Sequence, residues 1–123
     1  MKMLIKRKNI EMIEKFRQLY EGKKVDLDES DSGKYKLHIT EYSNGNLYLG
    51  LFENDEPYAN ITKNLPGRIP WYEFYVDANN FPEAIDMLFE NNIARYTGKM
   101  MQSGFCHYPL FTLVPEIIKE VEG

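Results

Sequence analysis

A chain of 123 residues, 43% hydrophobic and 14% aromatic, carries enough apolar material for one core, which excludes wholesale disorder. Its single cysteine, Cys106, excludes an intrachain disulfide framework. The net charge of −4 is unevenly placed: residues 1–24 hold eight Lys or Arg against three acids, a net of +5, and the rest of the chain holds seven against sixteen, a net of −9.

The expected organisation is a single α+β domain over residues 1–123, with no repeat and no linker. The N-terminal apolar run Met3-Leu4-Ile5 stops at Lys6, short of a secretory signal, and no stretch approaches the ~20 apolar residues of a membrane span. The cytoplasm is therefore the expected compartment, with no membrane partner.

In chain order, a first helix is expected from Asn9 to Glu21. Asn9 supplies an N-cap, Ile10, Ile13, Phe16 and Tyr20 recur at helical spacing, and Gly22 ends it. An acidic loop follows, with Asp26, Asp28, Glu29 and Asp31. Strict alternation then predicts a half-buried strand, Tyr35, Leu37 and Ile39 facing inward. Ser43-Asn44-Gly45-Asn46 reads as a type I′ hairpin turn. The return strand Leu47 to Phe52 places Leu47, Leu49 and Leu51 on one face and Tyr48 and Phe52 on the other. Glu53-Asn54-Asp55-Glu56 is a second turn, followed by strands Tyr58 to Lys63 and Trp71 to Asp77.

A second helix is signalled by Asn80 as cap, Pro82 in the first turn and Glu83 in capping-box register, with Ala84, Ile85, Leu88 and Phe89 as its buried stripe. Residues 95–107 read as an irregular loop. A strand from Tyr108 to Leu113 and a last helix beginning at Pro115 complete the chain, with Ile117, Ile118 and Val121 inward. Tight turns between successive strands imply an antiparallel meander of four to five strands, with helices before it, after strand 4 and at the C-terminus.

No motif fixes a chemistry. Cys106 and His107 are adjacent, so on an extended chain they point to opposite faces, and His107 is badly placed to activate the thiol. One Cys and two His cannot build a four-ligand zinc site. The loop over residues 26–33 fails as a calcium loop: with Asp28 first, position 12 falls on Ile39 instead of a carboxylate. Gly98-Lys99 lacks the spacing of a phosphate-binding loop. No catalytic residue, metal or cofactor is expected. Within residues 95–107, Tyr96, Met100, Met101 and Phe105 read as core plugs, with an adaptable binding surface as the alternative. The aromatics Tyr48, Phe52, Tyr58, Trp71, Tyr72, Phe74 and Tyr75 also read as core; stacking on single-stranded nucleic acid is their alternative.

Three stretches together resemble a known family: Asn46-Leu-Tyr-Leu-Gly-Leu-Phe with Pro57-Tyr-Ala-Asn-Ile-Thr; Tyr75-Val-Asp-Ala-Asn-Asn; and Thr97-Gly-Lys with Gln102-Ser-Gly-Phe-Cys-His-Tyr-Pro-Leu. The family comprises small uncharacterised proteins carried by plasmids, conjugative transposons and phages of Gram-positive and gut bacteria. The resemblance spans roughly residues 46–113 and implies a genomic context, not a reaction. It implies a non-enzymatic accessory protein of a mobile element that inhibits a host CRISPR or restriction nuclease by protein–protein contact. An acidic body suits the basic groove of such a partner. The expected partner-binding residues are Asp26, Asp28, Glu29, Asp31, Asp55 and Glu56 with Tyr96, Lys99, Gln102, Ser103, Phe105 and His107. The alternative is a nucleic-acid-binding regulator of the element using Lys2, Lys6, Arg7, Lys8, Lys15, Arg17, Lys23 and Lys24.

Overall fold

The computed structural model describes the backbone of residues 2–27 and 33–123, and the side chains of 6–27 and 33–123. The expected Asp28, Glu29 and Asp31 contacts lie outside the described residues.

Three helices and two four-stranded antiparallel sheets make an α+β fold. Helix α1 (Lys2–Tyr20) begins seven residues before the expected cap. Residues 2–8 contain no Gly, Pro or β-branched run that would stop it, so propensity carries the helix past Asn9. Asn9 therefore lies inside the helix and is buried. Its amide Nδ2 donates to the carbonyls of Ile69 at 3.0 Å and Gly45 at 3.4 Å, a tertiary clamp in place of a cap. Gly22, at φ 80°, ends the helix as expected.

The first sheet has the order β1 (Lys24–Val25), β2 (Tyr35–Glu41), β3 (Leu47–Glu53), β4 (Glu56–Asn60). Leu37 faces Leu51 and Ile39 faces Leu49 across the β2–β3 ladder, and all four are buried, with α1 packed on β2. The first turn differs from the expected type I′, and the second lies where it is expected. At residues 43–45, Gly45 N–H donates to the Tyr42 carbonyl and Gly45 alone has a positive φ, 88°: a type I turn followed by a glycine bulge. The type I′ turn lies instead at Asn54-Asp55, where both residues have positive φ, 52° and 66°.

The second sheet has the order β5 (Thr62–Lys63), β6 (Glu73–Val76), β8 (Cys106–Leu113), β7 (Ala94–Ser103). The expected strand Tyr58 to Lys63 is broken at Ile61, where the chain passes from one sheet to the other. Ile61 N–H donates to Leu49 O in the first sheet, and Ile61 O accepts from Asp77 N–H beside the second. The buried side chains of both sheets form a single cluster that includes Phe74, Val76 and Phe111.

Helix α2 (Glu83–Glu90) packs on β7 through Ala84, Met87 and Leu88. Ile85 and Phe89, expected inside, are exposed; the helix can bury only one stripe, and Met87 shares it with Ala84 and Leu88. Asn80 is no cap: Pro82 holds that position, and the Asn80 amide donates to the Asp77 carboxylate. Helix α3 (Pro115–Glu122) buries Ile117 and Val121, with Ile118 half-buried.

Helices α1 and α3 are joined at Tyr20, whose hydroxyl donates to Glu120 Oε1. That bond, followed by burial, pushes the Tyr20 pKa from its ordinary 10.0 up to about 12. A raised phenol pKa favours the protonated folded state. Its contribution is thus present below pH 10 and lost as pH rises towards 12. In an ultraviolet phenolate titration, one tyrosine should titrate near the upper limit, and Glu120→Gln should return that midpoint towards 10. An unchanged titration curve in the variant would show that the bond is not populated.

Candidate functional site

Residues 95–107, expected as a loop, are strands. The β7–β8 ladder runs from Ala94↔Leu113 to Tyr96↔Phe111, shifts register, and resumes from Met100↔Pro109 to Ser103↔Cys106. The shift is a bulge over 97–99. Gly98 takes φ 89°, and Thr97 Oγ1 donates to Leu110 O at 2.8 Å and accepts from Lys99 N–H at 3.2 Å. A threonine hydroxyl thus replaces the backbone partner that the bulge removes. The Gly104-Phe105 turn closes the hairpin, with Gly104 at φ 63°, as a two-residue turn with a leading glycine requires.

Strand β6 pairs β8 only at residues 110–112, so from Met100 to Pro109 the hairpin runs beyond its third strand. Arg95, Tyr96 and every residue from Gly98 to Phe105 are exposed on β7 and its turn. Alternate residues of a strand point to opposite faces, so neither face of β7 is covered there, whereas Tyr108 and Pro109 of β8 are buried. The core-plug reading is corrected: Met100 is 57% exposed, Met101 45%, Tyr96 49%, and Phe105 fully so. β7 is also the last strand of its sheet. Six expected contact residues, Tyr96, Lys99, Gln102, Ser103, Phe105 and His107, therefore share one arm.

The acidic residues gather elsewhere. Tyr35 pairs with both Val25 and Glu53, so the segment after β1 and the Asn54-Asp55 turn lie at one end of the first sheet. Asp26, Asp55 and Glu56 are exposed there. Asp26 is fixed by Asn91, whose amide donates to Asp26 O at 2.9 Å and accepts from Asp26 N–H at 3.1 Å. Nearby, Lys34 pairs Glu53 at 3.1 Å.

Cys106 and His38 stand on different sheets. Cys106 is half-buried near Tyr108, whose hydroxyl pKa is raised by burial first and by the Cys106 thiol second. Among the described residues, no group of three or more His, Cys, Asp or Glu is placed to hold a metal ion. Among the same residues, no helix is long and apolar enough to cross a membrane.

Sequence reasoning missed two places. The outer face of the first sheet carries a shallow groove of about 410 Å³ lined by His38, Tyr42, Tyr48, Phe52 and Pro57. Its aromatics Tyr48 and Phe52 are half-buried and Tyr58 is exposed, which corrects their reading as core; Trp71 and Phe74 are core as expected. Glu21 reaches the groove from beyond α1. Its Oε2 lies 2.8 Å from His38 Nδ1, and its Oε1 accepts the Ile39 N–H at 2.7 Å. The Glu21–His38 separation leaves no local signature in the sequence. The second place is a recess of about 370 Å³ between α1 and the loop before Trp71, lined by Lys6, Arg7, Ile10, Glu11 and Arg68. Lys6 and Arg7 were visible as part of a basic segment, but Arg68 was not visible as their neighbour.

Comparison with curated proteins and with solved structures gives no match. A family model described as a domain of unknown function, DUF4313, matches residues 36–121. This span runs from the second residue of β2 to the penultimate residue of α3 and includes the arm. The chain belongs to this DUF4313 family of unknown function.

Proposed function

We propose that the chain is a non-enzymatic binding protein that docks on a protein partner through the β7–β8 arm. The observation that carries this reading is the arm itself. It is a hairpin, held by a threonine-filled bulge, that presents Met100, Met101 and Phe105 to solvent. Large aromatic and Met side chains are what protein interfaces bury at their centres. The open edge of β7 offers backbone groups as well.

The partner we propose is a host defence nuclease, of the CRISPR or restriction type, with this chain an accessory protein of a mobile genetic element acting in the cytoplasm. Two considerations support it. The third stretch of the resemblance to small plasmid and phage proteins, Thr97-Gly-Lys with Gln102 to Leu110, lies on the arm. The acidic end of the first sheet supplies charge complementary to a basic nucleic-acid groove. The test is a pull-down and cleavage assay with purified restriction and CRISPR nucleases. Inhibition of cleavage with binding at or below micromolar concentration is expected for one of them, and absence of binding to all would remove the nuclease reading.

A further inference from the structure

We infer that the recess between α1 and residues 66–69 is a site for a phosphate group. Its lining brings three cationic side chains, Lys6, Arg7 and Arg68, around one carboxylate, Glu11, with Ile10 beside them. Arg68 comes from a different part of the chain, and the structure spends several asparagines on holding its loop. Asn46 Nδ2 donates to Gly67 O at 2.8 Å, Asn46 Oδ1 accepts from Ile69 N–H at 3.3 Å, and Asn9 Nδ2 donates to Ile69 O at 3.0 Å. The carbonyls on either side of Arg68 are thus clamped, one to the hairpin turn and one to α1.

Lys6 is placed by the same turn. A Cβ on Gly45 would lie 2.9 Å from Lys6 Cγ, so the Lys6 stem rests on a position that only glycine leaves open. The Lys6 stem and the backbone flanking Arg68 are therefore held before any ligand arrives, which lowers part of the ordering cost of binding. The planar guanidinium of arginine suits the oxygens of a phosphate, and the +5 charge of residues 1–24 adds an attractive field. The shared ligand chemistry is a phosphate group, supplied by a nucleic-acid backbone or by a small free phosphate. The site stands apart from the arm, so either reading can fail alone.

The experiment follows backbone amide shifts of the full chain at low salt. Inorganic phosphate, pyrophosphate and a short single-stranded DNA are titrated in turn. Arg7→Gln and Arg68→Gln should each weaken binding about tenfold, whereas Glu11→Gln should tighten it about threefold by removing the opposing charge. Melting curves confirm that each variant is folded. Binding of DNA with this pattern assigns the site to a nucleic-acid backbone, and added salt should weaken it steeply. Binding of phosphate or pyrophosphate alone with this pattern assigns it to a small anion. No shift around Lys6, Arg7 and Arg68 with any probe overturns the inference, as does binding indifferent to all three substitutions.

Discussion

Phe16→Ala is expected to lower the melting temperature by about 10–20 °C, following a loss of about 3–5 kcal/mol. Phe16 is fully buried in the C-terminal part of α1. Its ring lies 6.1 Å from that of Trp71 and 5.4 Å from that of Tyr20. Trp71 in turn donates its indole N–H to Glu122 of α3 at 2.9 Å. The phenyl group therefore packs against the two aromatic residues, Tyr20 and Trp71, that bond to α3. Removing it leaves a cavity whose walls, Tyr20 of α1 and Trp71 before β6, lie 51 residues apart in the chain, so collapse is limited. Thermal denaturation measures the effect. A shift of only a few degrees would mean that the surroundings close over the void and that the three elements are less rigidly set than their contacts indicate.

Replacing the tip of the arm should produce the opposite profile. Phe105→Ala combined with Met100→Ala is expected to leave stability within about 0.5 kcal/mol of the parent, because neither side chain is buried by the chain itself. On the proposed docking surface the same change should cost at least about 2 kcal/mol of binding, roughly a thirtyfold loss of affinity. The residues share a turn and its neighbouring strand, so their effects need not add, and the double variant is the safer probe. Titration of parent and variant against the captured partner measures the difference. Equal affinities would remove the arm from the interface, and a melting point well below the parent's would mean that these side chains support the fold after all.

The sequence was most legible where one face of a strand is buried. Tyr35, Leu37 and Ile39 alternate with Lys36, His38 and Thr40 because the first set meets the core and the second meets solvent, and the period of two follows. The same reasoning explains the failure at residues 94–103. Both faces of β7 are exposed from Gly98 on, so no constraint writes an alternation into Gly98-Lys-Met-Met-Gln-Ser. Its exposed Met and Phe carry the signature of a core because hydrophobicity alone does not say whose core they enter.

Asn9 misled in another way. Its strong capping preference is local, whereas its actual partners, Gly45 and Ile69, lie 36 and 60 residues away. Half of the candidate contacts fell on the arm, and their grouping was legible because they are near neighbours in sequence. The acids Asp26 and Asp55 reach the same end of the first sheet only through the pairing of β1 and β3 with β2. Arg68 comes beside Lys6 and Arg7 through long-range packing, the asparagine clamp included. Convergence of this kind is a property of register and packing and has no local trace.

The passage of the chain through Ile61 bears on how the molecule can come apart. One buried residue lends its N–H to Leu49 and its C=O to Asp77, so its two neighbouring peptide planes are bolted to opposite halves. Neither sheet can peel away without breaking that rivet and opening the shared interior. Slow deuterium uptake at the Ile61 amide would therefore report on the whole protein's opening, not on fraying of either half.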